Sequence, residues 1–194
     1  MVLNPSSIFR ERLNCIVNSE LKTKQLKTYM KILETERLLL RDQQPEDADV
    51  LAKMFADAEV MRFIGDGKTY PRSVVEQSIT KWNDYGRKHG FTSWAVIRKE
   101  DNAFIGKCGF NRLPDDSDIE LSYMLDEPYW GKGYATEIAS AVLEHGLNKL
   151  GMKRVVALVY PQNSPSIRVI EKTGMKYEKE YEYMGIKMLM YSVN

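Results

Sequence analysis

The chain has 194 residues, of which 43% are hydrophobic and 28% are charged. A chain of this length and composition buries a core without disulfides or a metal, and the length favours a single domain. Its 28 Lys and Arg residues are nearly balanced by 27 Asp and Glu residues, which leaves a formal net charge of +1. Bulk charge therefore argues against a nucleic-acid-binding protein, because such proteins attract phosphates with a basic surface.

The sequence carries no signal for a membrane protein, a secreted protein or a metal site. No apolar run approaches the roughly 20 residues that span a bilayer, and the first 31 residues lack the apolar core of a secretory signal. Cys15 and Cys108 do not form a disulfide framework, and His89 and His145 have no further ligand at zinc spacing. We expect a cytoplasmic protein with no metal and no membrane partner.

Residues 1–31 differ in composition from the rest of the chain. They carry six basic residues against two acidic ones, and their apolar residues are scattered. This pattern is typical of an appended, partly disordered arm, and an arm that binds a partner or braces a dimer fits it too. We therefore divide the chain into an N-terminal extension over 1–31 and a folded domain over 32–194, which we expect to be a monomer or a homodimer.

The first part of the domain predicts one strand and two helices. Apolar residues over 32–41 indicate a buried strand, and Pro45 fits the first turn of a helix after it. Ser73 and Glu76 have capping-box spacing, which predicts a second helix that ends at Gly90.

After Gly90 the pattern predicts a hairpin, a strand, a helix, a strand, a helix and a final hairpin. The predicted ranges are a hairpin over 91–98 and 103–110, a strand over 118–125, a helix over 134–150, a strand over 154–159, a helix from 164 to about 174, and a hairpin over 175–183 and 187–193. Because strand–helix–strand crossovers are right-handed, strand 154–159 should lie parallel to strand 118–125.

A glycine-containing segment joins strand 118–125 to helix 134–150. Gly131 and Gly133 allow the backbone to turn tightly, and the first amides of the helix have no acceptors within the helix. These amides lie at the positive end of the helix dipole, which is a geometry that binds phosphate. A purely structural glycine turn fits the same spacing.

The chain from about residue 32 to residue 193 resembles the GCN5-related N-acetyltransferases, in particular their ribosomal-protein-alanine N-acetyltransferase subgroup. The family signature is Arg/Gln-x-x-Gly-x-Gly/Ala, and the sequence matches it at Gly133 and Ala135 but has Trp130 at the first position. That departure removes one side-chain donor and leaves the backbone amides. Segments 33–41 and 163–175 also resemble the subgroup.

This resemblance implies an α+β or α/β fold, in which a mixed central sheet of about seven strands contains a splayed parallel pair and is flanked by about four helices. It also implies that acetyl-CoA binds across the splayed pair and leaves as coenzyme A. The pantetheine arm would pair with the strand edge near Tyr123, Met124 and Leu125. The pyrophosphate would bind at residues 130–136, which are Trp130, Gly131, Lys132, Gly133, Tyr134, Ala135 and Thr136.

Three further residues are implied near the cofactor. Asn163 matches the family asparagine that hydrogen-bonds the pantetheine arm, and an ordinary helix cap fits it as well. Ser166 lies one helical turn further on, where it would face the cofactor. Lys172 would contact a phosphate, although a solvated surface charge fits it too.

Two residues are candidates for proton transfer. Glu120 alternates with apolar neighbours in its predicted strand, so we expect it to be the base that deprotonates the amine, with a solvated carboxylate as the alternative. Many family members place a tyrosine acid where this chain has Ile170. Ser166 is therefore the first candidate to protonate the leaving thiolate, ahead of Tyr123 or water. A backbone amide near Met124 would hold the oxyanion.

The acceptor remains open between two classes. A protein N-terminal amine is favoured, because its pKa of about 8 lies below the value of about 10.4 for a lysine side chain. The alternative is a small amine such as an antibiotic, a polyamine or an amino acid, for which Asp115, Asp116, Asp118 and Glu120 would form an acidic pocket. A catalytically silent CoA-binding module is a further alternative. The acceptor pocket is expected between the first two helices, near Phe63, Ile64, Tyr70, Trp82 and Tyr85.

Overall fold

The computed structural model describes residues 29–114, 118–183 and 185–194. Within these ranges the chain forms eight β-strands and five α-helices. The strands are β1 (Lys31–Glu34), β2 (Leu38–Arg41), β3 (Ser93–Arg98), β4 (Ala103–Arg112), β5 (Ile119–Leu125), β6 (Val155–Val159), β7 (Lys176–Tyr183) and β8 (Ile186–Val193). The helices are α1 (Ala48–Ala56), α2 (Ala58–Met61), α3 (Arg72–His89), α4 (Tyr134–Asn148) and α5 (Ser164–Lys172).

The eight strands form one mixed sheet in the order β1-β2-β3-β4-β5-β6-β8-β7. Strands β5 and β6 are parallel, and the other neighbouring pairs are antiparallel. The predicted parallel placement of strands 118–125 and 154–159 is therefore confirmed. The sheet has eight strands rather than about seven, and five helices rather than about four flank it, because the N-terminal segment forms two strands and the one-turn helix α2 is additional.

The predicted single strand over 32–41 is wrong, because the chain reverses at residues 35–37. The amide of Thr35 donates to the carbonyl of Leu38 at 2.9 Å, and the amide of Leu38 donates to the Thr35 hydroxyl at 3.1 Å. These two bonds close a tight turn, so β1 and β2 pair antiparallel. The turn brings the side chains of Thr35 and Arg37 close to the start of α4.

The predicted cap of the second helix is also wrong. Pro71 occupies the N-cap of α3 with an extended backbone, so Ser73 lies inside the first turn. Proline suits this position because its fixed φ leads into the helix and its missing N–H would be unpaired there. The predicted end is confirmed, since Gly90 closes α3 with a φ of 81°. The first predicted helix begins as a short 3-10 turn over Pro45–Asp47 and continues as α1.

Helices cover both faces of the sheet. On one face α4 and α5 bury the main core, where Ile138 of α4 packs with Leu121 of β5. On the other face α1 and α3 bury a second core, where Leu51 of α1 packs with Met124 of β5. Because successive side chains of a strand point to opposite faces, Glu120 lies on the same face as Met124.

Candidate active site

The parallel strands β5 and β6 separate soon after they meet. Their pairing involves Glu120 and Val156 and does not continue toward the carboxyl ends of the strands. The other edge of β5, in contrast, pairs with β4 along the whole strand. The opening between β5 and β6 leads into a cleft of about 740 Å³, which receives side chains from β4, β5, β6, α4, α5 and the segment 59–65.

The glycine loop, defined as residues 130–136, leads from β5 into α4. Gly131 and Gly133 have φ values of 72° and 80°, a left-handed backbone that other residues adopt only with strain. Gly133 is the N-cap of α4, and it has no side chain to accept from the first helical amides. These amides are therefore available at the positive end of the helix dipole. The cleft is lined by Gly131, Gly133, Tyr134, Ala135 and Thr136.

An ion pair from the β1–β2 turn anchors the glycine loop. Arg37 donates from Nε to the Glu137 carboxylate at 2.6 Å and from Nη1 to the Lys132 carbonyl at 3.0 Å. The Thr35 hydroxyl donates to the other Glu137 oxygen at 2.5 Å, and the Arg37 guanidinium lies 4.4 Å from the centre of the Tyr134 ring. Burial would raise the pKa of Glu137, but the hydrogen bonds from Thr35 and Arg37 outweigh it and hold the pKa below its ordinary value. Glu137 is therefore a charged anchor in the first turn of α4.

Trp130, the departure from the family signature, uses its donor within the protein. Its indole N–H donates to the Leu125 carbonyl at 2.7 Å, and 46% of the residue is exposed. The indole therefore does not replace the signature's side-chain donor toward a ligand. Tyr123, Met124 and Leu125 line the cleft together with Trp130, whereas the side chain of Lys132 does not.

The start of α5 brings three of the predicted residues together. The Asn163 side-chain oxygen accepts from the Ser166 amide at 3.2 Å, so Asn163 caps the helix as well as lining the cleft. The hydroxyls of Tyr123 and Ser166 are hydrogen-bonded at 2.7 Å. Burial raises the pKa of Tyr123 to about 12, so its hydroxyl stays protonated at neutral pH. Lys172, at the exposed end of α5, lines the cleft as well.

Glu120 lies where β5 and β6 begin to separate. Burial raises the pKa of its carboxyl to about 7, and a hydrogen bond from the Leu158 amide only partly offsets that rise. Burial raises the pKa of the Tyr183 hydroxyl, and the nearby Glu120 carboxylate raises it further. A carboxyl that titrates near neutral pH in a cleft is suited to proton transfer.

Among the described residues of the predicted acidic pocket, Glu120 lines the cleft and Asp118 does not. The Asp118 carboxylate accepts from Arg154 at 2.8 Å, so its charge is already paired. Asp115 and Asp116 lie outside the described residues. Besides Glu120, the cleft is lined by Glu59 and by Lys107, neither of which the sequence singled out.

The aromatic residues predicted for the acceptor pocket separate into two groups. Phe63 and Ile64 line the cleft. Tyr85 instead packs in the main core, where its ring stacks on His89 at a centroid distance of 4.3 Å. Trp82 packs against Phe55 in the second core, with ring centroids 6.1 Å apart, and Tyr70 packs against the other edge of Phe55 at 6.2 Å.

Two features of the described residues bear on metals and membranes. Over 29–114, 118–183 and 185–194 there is no group of three or more His, Cys, Asp or Glu side chains arranged to hold a metal ion. Among the helices in these ranges, none is both long and apolar enough to cross a bilayer.

Comparison with known proteins identifies relatives of the chain. A family model described as an acetyltransferase (GNAT) domain matches residues 37–176. The uncharacterized N-acetyltransferase p20 of Bacillus licheniformis is 33% identical over 157 residues, which cover 79% of this chain and 88% of that protein. The ribosomal-protein-serine acetyltransferase of Escherichia coli is 27% identical over 124 residues, which cover 60% of this chain and 69% of that protein. A GNAT-family acetyltransferase structure from Bacillus anthracis is 26% identical, with a TM-score of 0.71 over 84% of this chain and 96% of that one.

Proposed function

The chain belongs to the GNAT acetyltransferase family, and we propose that it transfers acetyl from acetyl-CoA to the N-terminal amine of a protein. Membership makes it an N-acetyltransferase with acetyl-CoA as the donor. The proposal concerns the class of acceptor, and the main observation that supports it is the pKa of Glu120. A base with a pKa of about 7 is matched to an α-amine with a pKa of about 8 better than to a lysine side chain with a pKa of about 10.4. The Escherichia coli relative is named a ribosomal-protein-serine acetyltransferase, which supports a protein as the acceptor.

The glycine loop and the open edge of β5 are the proposed cofactor site. Acetyl-CoA supplies an activated acetyl group and a thiolate that leaves. The amides that follow Gly133 would hold the pyrophosphate, since they lack acceptors within α4. The β5 edge at Tyr123 and Met124 has no strand partner on the side of β6, so the pantetheine arm would pair there in the manner of an added strand.

Glu120 would remove a proton from the acceptor amine. The neutral nitrogen then attacks the acetyl carbonyl carbon, and a backbone amide on the open edge of β5 would stabilise the negative oxygen that forms. The proton ends on the Glu120 carboxylate, which the Leu158 amide also contacts. Burial of Glu120 favours the protonated carboxyl that this step produces.

Ser166 and Tyr123 would return a proton to the departing sulfur. As the carbon–sulfur bond breaks, the thiolate needs a donor, and Ile170 supplies none at the position of the usual tyrosine. The Ser166 hydroxyl lines the cleft and is hydrogen-bonded to the Tyr123 hydroxyl at 2.7 Å. Ser166 would therefore donate to sulfur while Tyr123 replaces the proton on Ser166. The second proton of the attacking nitrogen, which is released as the amide forms, would return to Tyr123 and close the cycle.

The acceptor assignment is tested by release of free thiol from acetyl-CoA on two acceptor panels. One panel contains peptides with free N-termini and no lysine, and the other contains antibiotics, polyamines and amino acids. We expect peptide acetylation at the α-amine, located by mass spectrometry of the product. A dominant rate on a small amine, with none on any peptide, would overturn the assignment.

Calorimetry with acetyl-CoA shows whether the protein binds the donor, even if neither panel contains its acceptor. Tight binding with no turnover on any acceptor, unchanged by Glu120→Gln, would instead support a CoA-binding module without catalysis. Glu144→Gln serves as the matched control, because Glu144 is an exposed residue of α4 that does not line the cleft.

A further inference from the structure

We infer that Lys107 binds an anionic group of the acceptor, so that the enzyme favours N-terminal peptides with an acidic side chain near the amine. The inference rests on the proposed function and narrows its acceptor class. The observation behind it is a cation that lines the cleft and has no counter-ion among the described residues.

Lys107 lies on the acceptor face of the sheet. It alternates along β4 with Cys108, which is fully buried in the main core under α4, so its side chain points to the opposite face. There its ammonium lies 4.0 Å from the centre of the Trp82 ring and 5.2 Å from the centre of the Phe55 ring. The aromatic rings of α1 and α3 therefore fix the position of a positive charge beside the cleft.

The ammonium of Lys107 has no ion pair or hydrogen bond with any described residue. Burial alone lowers the pKa of its ammonium to about 8, with no carboxylate to counter it. Arg41, a buried cation of the second core side, has a counter-ion instead, because both its terminal nitrogens donate to the Asp47 carboxylate at 2.7 Å. A desolvated charge without a partner is unfavourable, and a ligand that brings an anion would complete the site.

The phosphates of acetyl-CoA are not suited to be that anion. The glycine loop leads into α4, which packs on the face of the sheet opposite to Lys107. Lys107 shares its face with Glu120, the proposed base, and with the segment that contains Phe63 and Ile64. The missing anion is therefore expected on the molecule that presents its amine to Glu120.

The spacing along the strands indicates how far that anion lies from the amine. Lys107 pairs with Met124, and Glu120 is four residues away along β5. Four residues of strand span about 13 Å at roughly 3.3 Å per residue. An amino acid, whose carboxylate and amine share one carbon, is too short for this distance. A peptide with Asp or Glu at its second, third or fourth position has the required length.

The test compares kcat/KM within matched pairs of acceptors. The peptide pairs differ only by Asp against Asn at positions two to four, and a further pair compares a long aminocarboxylate with its amide. For the unmodified protein we expect roughly a tenfold preference for the acidic member of a peptide pair, as for one charge-assisted hydrogen bond. Lys107→Met should reduce this preference to less than about twofold, and Lys107→Arg should keep most of it.

Lys153→Met is the matched control, since Lys153 is exposed and does not line the cleft. Thermal melting establishes that each variant folds, and the preference of the unmodified protein is informative without any variant. Equal rates within all pairs, together with equal binding of their members to CoA-saturated protein, would overturn the inference. It would also be overturned if Lys107→Met weakened CoA binding while the acidic preference persisted.

These outcomes are separate from a failure of the proposed function. If only small amines are acetylated, the N-terminal assignment is wrong, and the aminocarboxylate pair then decides whether Lys107 binds an anion. If peptides are acetylated without regard to charge, the N-terminal assignment stands and the role of Lys107 does not.

Discussion

The two sides of the cleft are built in different ways. The proposed cofactor side, which comprises the glycine loop and its Arg37–Glu137 anchor, presents backbone amides from one continuous segment. The acceptor side, which comprises Glu120 and Lys107, presents side chains from two separate strands. Backbone amides are present whatever the side chain, so the cofactor side tolerates Trp130 at a signature position. On the acceptor side a substitution would remove the functional group itself, because each functional group there belongs to a single side chain.

The two sides also differ in electrostatics. The cofactor side relies on a helix dipole and on Glu137, whose pKa is held low by its hydrogen bonds. On the acceptor side burial moves two pKa values toward neutrality, that of Glu120 up to about 7 and that of Lys107 down to about 8. Changes on the acceptor side should therefore alter turnover and pH dependence, whereas changes on the cofactor side should alter the KM for acetyl-CoA.

The largest effect is expected from Glu120→Gln. The amide keeps the shape of the side chain but cannot accept the proton of the amine, so kcat/KM for the acceptor should fall by about 10²- to 10³-fold. Steady-state kinetics with thiol detection measures this fall, and calorimetry should show unchanged affinity for acetyl-CoA. A decrease of less than threefold would remove Glu120 from the mechanism.

The pH profile is the internal control for this variant. The ionised carboxylate is the base, so kcat/KM of the unmodified protein should fall about tenfold per pH unit below 7, and Glu120→Gln should lose this dependence. Folding stability should change with pH in the opposite direction to kcat/KM. Because the pKa of Glu120 is raised in the folded state, the fold favours the protonated carboxyl, and this contribution to stability is lost as the pH rises through 7. Glu120→Gln should therefore raise the melting temperature at pH 8 and leave it unchanged at pH 4.

The next largest effect tests the hydrogen-bonded hydroxyls of Ser166 and Tyr123. Ser166→Ala should lower kcat by roughly 10- to 100-fold, as loss of a proton donor does, while Tyr123→Phe should lower it by a smaller factor because it acts through Ser166. Stopped-flow kinetics at saturating substrates measures both. A larger loss in Tyr123→Phe than in Ser166→Ala would reverse the proposed order of the two donors.

The parts of the fold that could be predicted are those that a local sequence pattern defines. The strand–helix–strand unit with the glycine loop is continuous in sequence, so period-two and helical patterns place it correctly. The N-terminal hairpin was missed because the polar residues 34–37 were assigned to the same strand as the short apolar runs on either side of them. The hydrogen bonds between Thr35 and Leu38 show that these polar residues form the turn. Ser73 was misplaced because capping-box spacing alone does not reveal that Pro71 already starts the helix.

The acceptor side was harder to predict than the cofactor side for the same reason. Glu120 was a candidate from the sequence because it is a carboxylate flanked by apolar residues within a predicted strand. Lys107 carries no such signal, since a lysine in an alternating strand normally indicates a solvent-facing position. Its burial depends on the packing of Trp82 and Phe55, which come from two other helices. The anchor between Arg37 and Glu137 likewise joins segments a hundred residues apart in the chain.

A moderate effect is expected on the cofactor side from Gly133→Ala. The φ of 80° imposes about 1–2 kcal/mol of strain on any other residue, and the added carbon would lie 3.4 Å from the Arg37 guanidinium. The first amides of α4 should shift, which would raise the KM for acetyl-CoA roughly tenfold. Gly151→Ala is the matched control, with a φ of 68° and no atom within 4 Å of the added carbon. The two variants should lose similar stability, and an equal rise in KM for both would contradict the phosphate role of the loop.

The smallest effect is expected from Glu137→Gln, which tests whether the anchor positions the amides rather than simply stabilising the fold. The Arg37 hydrogen bond to Glu137 is partly exposed, so the loss should raise the KM for acetyl-CoA only about threefold, with kcat unchanged. Glu178→Gln removes a similar ion pair, with Arg154 at 2.8 Å, far from the glycine loop, and should leave the KM unchanged. Because Arg37 and Glu137 act as one unit, Arg37→Gln added to Glu137→Gln should raise the KM little further. Additive effects of the two substitutions would instead indicate that Arg37 acts through its bond to the Lys132 carbonyl, independently of Glu137.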